Sequence, residues 1–115
     1  MNVQEIETST DENTFIHCVL IRRGKMIGIC KLTHYVDDNS CVFSDLVIKK
    51  EHRGKHYSEI LQNHCEVIAK NRFKSKEIYL WCTNNWRRKL YELRGYNYTV
   101  DHQSISGSIW MVKEL

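Results

Sequence analysis

The residues best placed to do chemistry lie in one run, Arg53-Gly54-Lys55-His56-Tyr57-Ser58. It follows the apolar triplet Leu46-Val47-Ile48 and precedes apolar residues at helical spacing, Leu61, Cys65 and Ile68. From Lys49 to Lys55 four full positive charges stand against one negative. A strand that feeds a basic loop and then a helix start suits an anion. The first N–H groups of a helix lack an internal partner, and the helix dipole favours negative charge there. His56 and Ser58 bring side-chain donors of their own, and Ser58 can also cap the helix. The cysteines offer less. Cys18, Cys30, Cys41, Cys65 and Cys82 form no Cys-x-x-Cys pair, Cys30 and His34 are an isolated couple, and no histidine is spaced to activate Cys82. They read as small buried hydrophobes, with no metal expected.

The elements that must position this run follow from periodicity and turn chemistry. Residues 1–13 are polar, with Glu5, Glu7, Asp11 and Glu12, and read as a frayed lead-in to a single domain over 14–115. Strands are expected over 15–21 and 26–33, joined at Arg23-Gly24 as a hairpin. A turn at Asp37-Asp38-Asn39-Ser40 leads to a third strand over 41–48, whose apolar end suits cover on both faces. A helix over 57–71 then crosses to a strand over 77–83, which should lie parallel to the third. Ile78, Leu80 and Cys82 point to one side of it; Tyr79, Trp81 and Thr83 point to the other.

Asn84 caps a second helix with a Trp86, Leu90, Leu93 stripe, Gly95 ends it, and strands over 96–100 and 108–115 close the chain. The order is β-β-β-α-β-α-β-β, a mixed sheet with helices packed on it.

Composition bounds the function. The chain has 115 residues, a net charge of +3 and no proline. That charge is too small for a nucleic-acid footprint, and no apolar run approaches the roughly 20 residues that span a bilayer. An odd number of cysteines within expected strands and helices fits a reducing, cytoplasmic setting.

The stretch from Asp45 to Tyr96 resembles the GNAT superfamily of N-acetyltransferases. That family's cofactor motif, Arg/Gln-x-x-Gly-x-Gly/Ala after a strand, stands here as Arg53 to Ser58, with His56 and Ser58 at the usual glycine positions. Its second block, Asn-x-x-Ala-x-x-hydrophobic-Tyr-Glu-x-x-Gly-Phe/Tyr, stands as Asn84 to Tyr96, with Arg87 in place of alanine. The resemblance implies a mainly antiparallel α/β fold with one splayed parallel strand pair, and acetyl-coenzyme A as cosubstrate. It further implies pyrophosphate held by Arg53, Gly54, Lys55, His56, Tyr57 and Ser58, and pantetheine paired to Leu46, Val47 and Ile48. A cofactor contact at Asn84 and a leaving thiolate assisted by Tyr91 complete the set. A phenol of pKa about 10 is a workable acid toward a thiolate near 8.5.

By the same resemblance, the family's first strand and the following helices are absent or reduced to residues 1–13. An open acceptor site or a homodimer is then expected, the latter also suggested by Tyr98 and Trp110.

Within the superfamily the glucosamine-6-phosphate N-acetyltransferases look closest. Ser44-Asp45-Leu46-Val47-Ile48 followed by Arg53-Gly54-Lys55 matches their spacing, as does Leu80-Trp81-Cys82. Their acidic residue falls at Ser44, which leaves Asp45 as the nearest carboxylate for proton relay. The expected reaction is direct acetyl transfer to a primary amine of a small molecule, with glucosamine 6-phosphate as the best candidate. A protein N-terminus or lysine is the alternative acceptor, and a catalytically silent coenzyme-binding module the alternative class. The alternative reading of Tyr91 is a packed aromatic, that of Asp45 a loop or arginine anchor, and that of Asn84 a helix cap, which is compatible with a cofactor contact.

Overall fold

The computed structural model describes residues 1–99 and 108–115. Seven strands and two helices follow the order β1 (Asn2–Ser9), β2 (Asn13–Arg22), β3 (Lys25–Tyr35), β4 (Ser40–Ile48), α1 (Tyr57–Asn71), β5 (Glu77–Cys82), α2 (Asn85–Leu93), β6 (Asn97–Tyr98) and β7 (Ile109–Glu114). They form one sheet of order β1-β2-β3-β4-β5-β7-β6. Among the described residues only β4 and β5 run parallel, joined by the α1 crossover. This is the mixed fold expected, and α1 spans the expected residues. Val100, placed in a strand by sequence, lies outside the described residues.

Residues 1–13 are not a frayed lead-in. Strand β1 pairs with β2 without interruption from Asn2↔Ile21 to Ser9↔Thr14. Its polar composition hid it, because an edge strand is held by backbone pairing and needs no two-sided apolar pattern. Two carboxylates also anchor it to α1: Glu5 accepts from His64 at 2.8 Å and Glu7 from Arg72 at 2.8 Å. The first strand is therefore present. A turn, in which the Thr10 hydroxyl accepts from the Asn13 amide at 3.0 Å, carries the chain directly into β2.

The core lies between α1 and one sheet face. Tyr57, Leu61, Cys65, Ile68 and Ala69 on α1 meet Ile16, Cys18 and Leu20 on β2, Cys30 and Leu32 on β3, Phe43 on β4, and Ile78 and Leu80 on β5. Alternation along β2 and β5 puts these residues on one side, as the two-residue strand period requires.

The positions of two residues shape the site. Opposite Cys30, β4 carries an extra residue, so Ile29 and Lys31 pair with Val47 and Ser44, and Asp45 adopts φ 57° in this bulge. Gly28 lies where β3 presses on the bent end of β4: a Cβ there would come within 2.5 Å of the Ile48 side chain and 2.8 Å of the Val47 carbonyl. The bulge steers β4 away from β5, which it meets only at Cys41↔Ile78 and Val42↔Tyr79.

Candidate active site

Beyond Val42 the two parallel strands diverge, and the side of β4 that faced β5 is left without a strand partner. Cover on both faces, expected for this stretch, is not found: Leu46 and Ile48 are half-buried and Val47 is 54% exposed. The bulge has turned these residues toward a cleft instead of toward a second layer.

Two cavities open on the divergence. One, of about 370 Å³, is lined by Leu46, Val47 and Ile48, by the loop and helix start at Arg53, Gly54, His56, Tyr57 and Ser58, and by Trp86 and Leu90 of α2. The other, of about 360 Å³, is lined by Ser44, Asp45, Trp81, Thr83 and Asn84. Leu46, Arg87 and Tyr91 line both. These three residues form the throat where the cavities meet.

The helix start is built to leave N–H groups open. His56 occupies the N-cap position of α1 in the left-handed region, at φ 63°, and its side chain caps nothing. That side chain is 86% exposed and leans toward Glu59, so the histidine in place of glycine does not fill the cradle. Gly54 also has positive φ, at 77°, with open space where a Cβ would stand. Its requirement is conformational.

The neighbouring side chains brace the loop. The Arg53 Nε donates to the Ile48 carbonyl at 3.0 Å, and the Arg22 guanidinium donates to the Tyr57 hydroxyl at 2.8 Å. Ser58 accepts from Arg94 at 2.9 Å, so it ties α1 to the end of α2 instead of capping its own helix. Lys55 is exposed beside them.

Tyr91 is fixed by the way α2 ends. Tyr96 N–H donates to the Tyr91 carbonyl at 3.0 Å and Gly95 N–H to the Glu92 carbonyl at 3.1 Å, a Schellman ending with Gly95 at φ 94°. The Tyr91 and Tyr96 rings meet edge to face, 6.1 Å apart. Tyr91 is 4% exposed. Burial raises its hydroxyl pKa above the ordinary phenol value, while the nearby positive charge of Arg87 opposes that rise. The hydroxyl is therefore protonated at neutral pH and polarised by a cation.

The remaining candidates sit on the second cavity. Asp45 pairs with Lys31 at 3.2 Å rather than with an arginine. Asn84 caps α2, its side-chain oxygen accepting from the Arg87 amide at 2.8 Å, and its place is across the throat from the anion loop.

The Trp86, Leu90, Leu93 stripe is not a core stripe. Trp86 is 71% and Leu93 87% exposed, and Trp86 and Leu90 wall the first cavity. Helical spacing does not say which partner an apolar face meets, and here it meets a cleft. Sequence reasoning also missed Arg87 as a site residue. Its one signal was a long cation where the resembled pattern has alanine.

The model of the Acetyltransferase (GNAT) domain family matches residues 13–98, most of the chain. The chain belongs to the GNAT acetyltransferase family. No curated protein matches it by sequence. Among solved structures, this GNAT domain is similar to N-acetylglutamate synthase from Neisseria gonorrhoeae, complexed with coenzyme A and N-acetylglutamate (TM-score 0.75, 15% identity), over 86% of this chain and 25% of that one. It is also similar to PaiA N-acetyltransferase from Thermoplasma acidophilum in complex with coenzyme A (TM-score 0.70, 19% identity), over 90% of this chain and 62% of that one. A third is an aminoglycoside 6'-N-acetyltransferase complexed with coenzyme A (TM-score 0.73, 15% identity), over 87% and 72%. The GNAT domain thus spans a quarter to about three quarters of these proteins. No helix among its described residues is long and apolar enough to cross a membrane.

Proposed function

We propose that the chain is an acetyl-CoA-dependent N-acetyltransferase that moves acetyl directly to a primary amine. The observation that carries this reading is the throat: a buried, protonated tyrosine with a cation at its side, placed where a cavity edged by unpaired strand and open helix N–H groups meets a second cavity. The pyrophosphate would rest on the start of α1 at Gly54 to Ser58, with Lys55 contributing charge. The pantetheine arm would follow Leu46 to Ile48, with Trp86 and Leu90 covering it. That arm supplies its own amides to the free side of β4, as an added strand would.

The amine approaches from the second cavity. Its nitrogen forms a bond to the thioester carbonyl carbon, and the tetrahedral adduct collapses by breaking the carbon–sulfur bond. The departing thiolate takes the Tyr91 proton, with Arg87 favouring the transient phenolate. The proton lost by the amine leaves by way of Asp45 and solvent, which restores Tyr91. Holding both reactants in one cleft supplies much of the rate.

Glucosamine 6-phosphate is the first amine to test, supported by the Asp45 to Lys55 spacing and by Lys31 and Arg87 near the acceptor side. The structurally similar proteins crystallised with N-acetylglutamate or named for aminoglycosides add amino acids and aminoglycosides to the panel. A protein amine is the further acceptor. The exposed Tyr98 supports a homodimer, which sedimentation at assay concentration tests. Five free, buried cysteines support a reducing, cytoplasmic location.

Calorimetric titration with acetyl-CoA is the direct test of the cofactor site, followed by an amine panel read by released thiol. Micromolar binding and turnover of any primary amine support the proposal. Binding without turnover across the panel leaves a silent coenzyme-binding module. No binding by the folded protein overturns the cofactor site.

A further inference from the structure

Three of the five cysteines converge, although they are far apart in sequence. Cys18 on β2 and Cys30 on β3 are direct cross-strand partners, and Cys65 stands over both from α1. The Cys18–Cys65 and Cys30–Cys65 sulfurs are 3.8 and 3.6 Å apart, and all three lie within 4.8 Å of one another. Each side chain is at most 1% exposed. The other two cysteines differ: Cys41 is hydrogen-bonded to Ser75 at 3.3 Å, and Cys82 lies at the second cavity.

Three sulfurs about 2.3 Å from a common metal ion, in a plane around it, are about 4.0 Å apart. Two of the observed separations, 3.8 and 3.6 Å, lie within a few tenths of an ångström of that value, and the third is no more than 4.8 Å. The donor set is all sulfur. It therefore disfavours calcium and magnesium, which need oxygen, and selects soft cations. Without a cation these thiols have only weak S–H···S contacts to one another.

We propose that Cys18, Cys30 and Cys65 form a structural three-thiolate site for one Cu(I) ion, a soft d10 cation that accepts three sulfur ligands, whereas a structural Zn(II) would need a fourth. Three S–H bonds break, three metal–sulfur bonds form and three protons leave to solvent, with no change in oxidation state. The closed core means that the cation is taken up as the chain folds. The bound ion would clamp α1 onto the β2–β3 hairpin, fixing the helix whose first turn forms the anion cradle.

The test is refolding without oxygen, under reductant, with Cu(I), then desalting, metal analysis and X-ray absorption. The expected result is roughly one cation per chain with three sulfur neighbours at about 2.3 Å, and a melting temperature above that of the metal-free protein. Cys65→Ala should lose the metal, while Cys41→Ala, outside the trio, should keep it. If Cys65→Ala fails to fold, the wild-type protein decides. Substoichiometric Cu(I), nitrogen or oxygen ligation, or metal loss in Cys41→Ala overturns the proposal. Neither the metal content nor the ligand identity depends on acetyl transfer.

Discussion

Tyr91 and Arg87 lie on consecutive turns of α2, four residues apart, so both reach the same throat. Tyr91→Phe removes only the proton donor, and kcat should fall about 100-fold or more, the usual range for a lost general acid. Its acetyl-CoA affinity by calorimetry should hold, and unchanged turnover would reduce Tyr91 to packing. Arg87→Leu removes the cation that holds down the Tyr91 pKa against burial. The alkaline limb of kcat, where Tyr91 ionises, should move to higher pH, while kcat at neutral pH falls through loss of phenolate stabilisation. An alkaline limb that stays in place, or moves down, would remove Arg87 from this role.

His56 adopts positive φ at the start of α1. A non-glycine residue at positive φ costs on the order of 1 kcal/mol. The loop accepts it because the side chain points to solvent.

At the scale of elements, the site depends on a bent strand. Strand β4 departs from β5 because of the bulge at Asp45, and Gly28 on β3 allows the close approach that this bend requires. Gly28→Ala should cost about 1–3 kcal/mol, as overpacking does, because its Cβ would meet a side chain and a backbone carbonyl together. Urea unfolding would measure it, and the same variant should weaken acetyl-CoA binding, since Val47 and Ile48 must move. A variant of normal stability would show that β4 bends for another reason.

The legibility of the elements follows the same logic. Helix α1 was readable from its periodicity and from the basic loop before it. Strand β1 was not readable, because its hold is backbone pairing and side-chain hydrogen bonds to residues 59 and 65 positions away. The exposure of the apolar face of α2 was not readable either, because the pattern reports an apolar stripe and not what covers it.

For the whole molecule, stability should be limited on the alkaline side. Tyr96 donates to Glu66 at 2.9 Å, and Glu66 also accepts from Lys113 at 2.8 Å. Burial, then the Glu66 charge, pushes the Tyr96 pKa well up; burial also raises Tyr91, Cys41 and Cys82. A group whose folded pKa lies above its unfolded value holds its proton more tightly when folded. Its contribution is full below the unfolded pKa and is lost as pH rises toward the folded one. Melting temperature should therefore begin to fall near pH 8.5, as unfolded thiols ionise, and fall faster above about 10 as unfolded tyrosines follow. A melting temperature flat from pH 8 to 11 would contradict the buried, protonated state of these groups.

By itself the sequence determined the parts whose causes are local. These are the strand, basic loop and helix start at Leu46 to Ser58, the Asn84 cap, the Gly95 ending and the order of the central elements. Each rests on contacts within a few residues, or on a period of two or 3.6, and the two GNAT-like blocks lie inside them. The tertiary structure decided what depends on distant residues meeting. It turned β4 toward a cleft through a bulge seen only against β3, and placed Arg87 beside a buried Tyr91 between two cavities. It made β1 a strand through its partners and gathered Cys18, Cys30 and Cys65 over the β2–β3 hairpin. No spacing rule encodes those encounters, because the sheet register and the helix crossover set them.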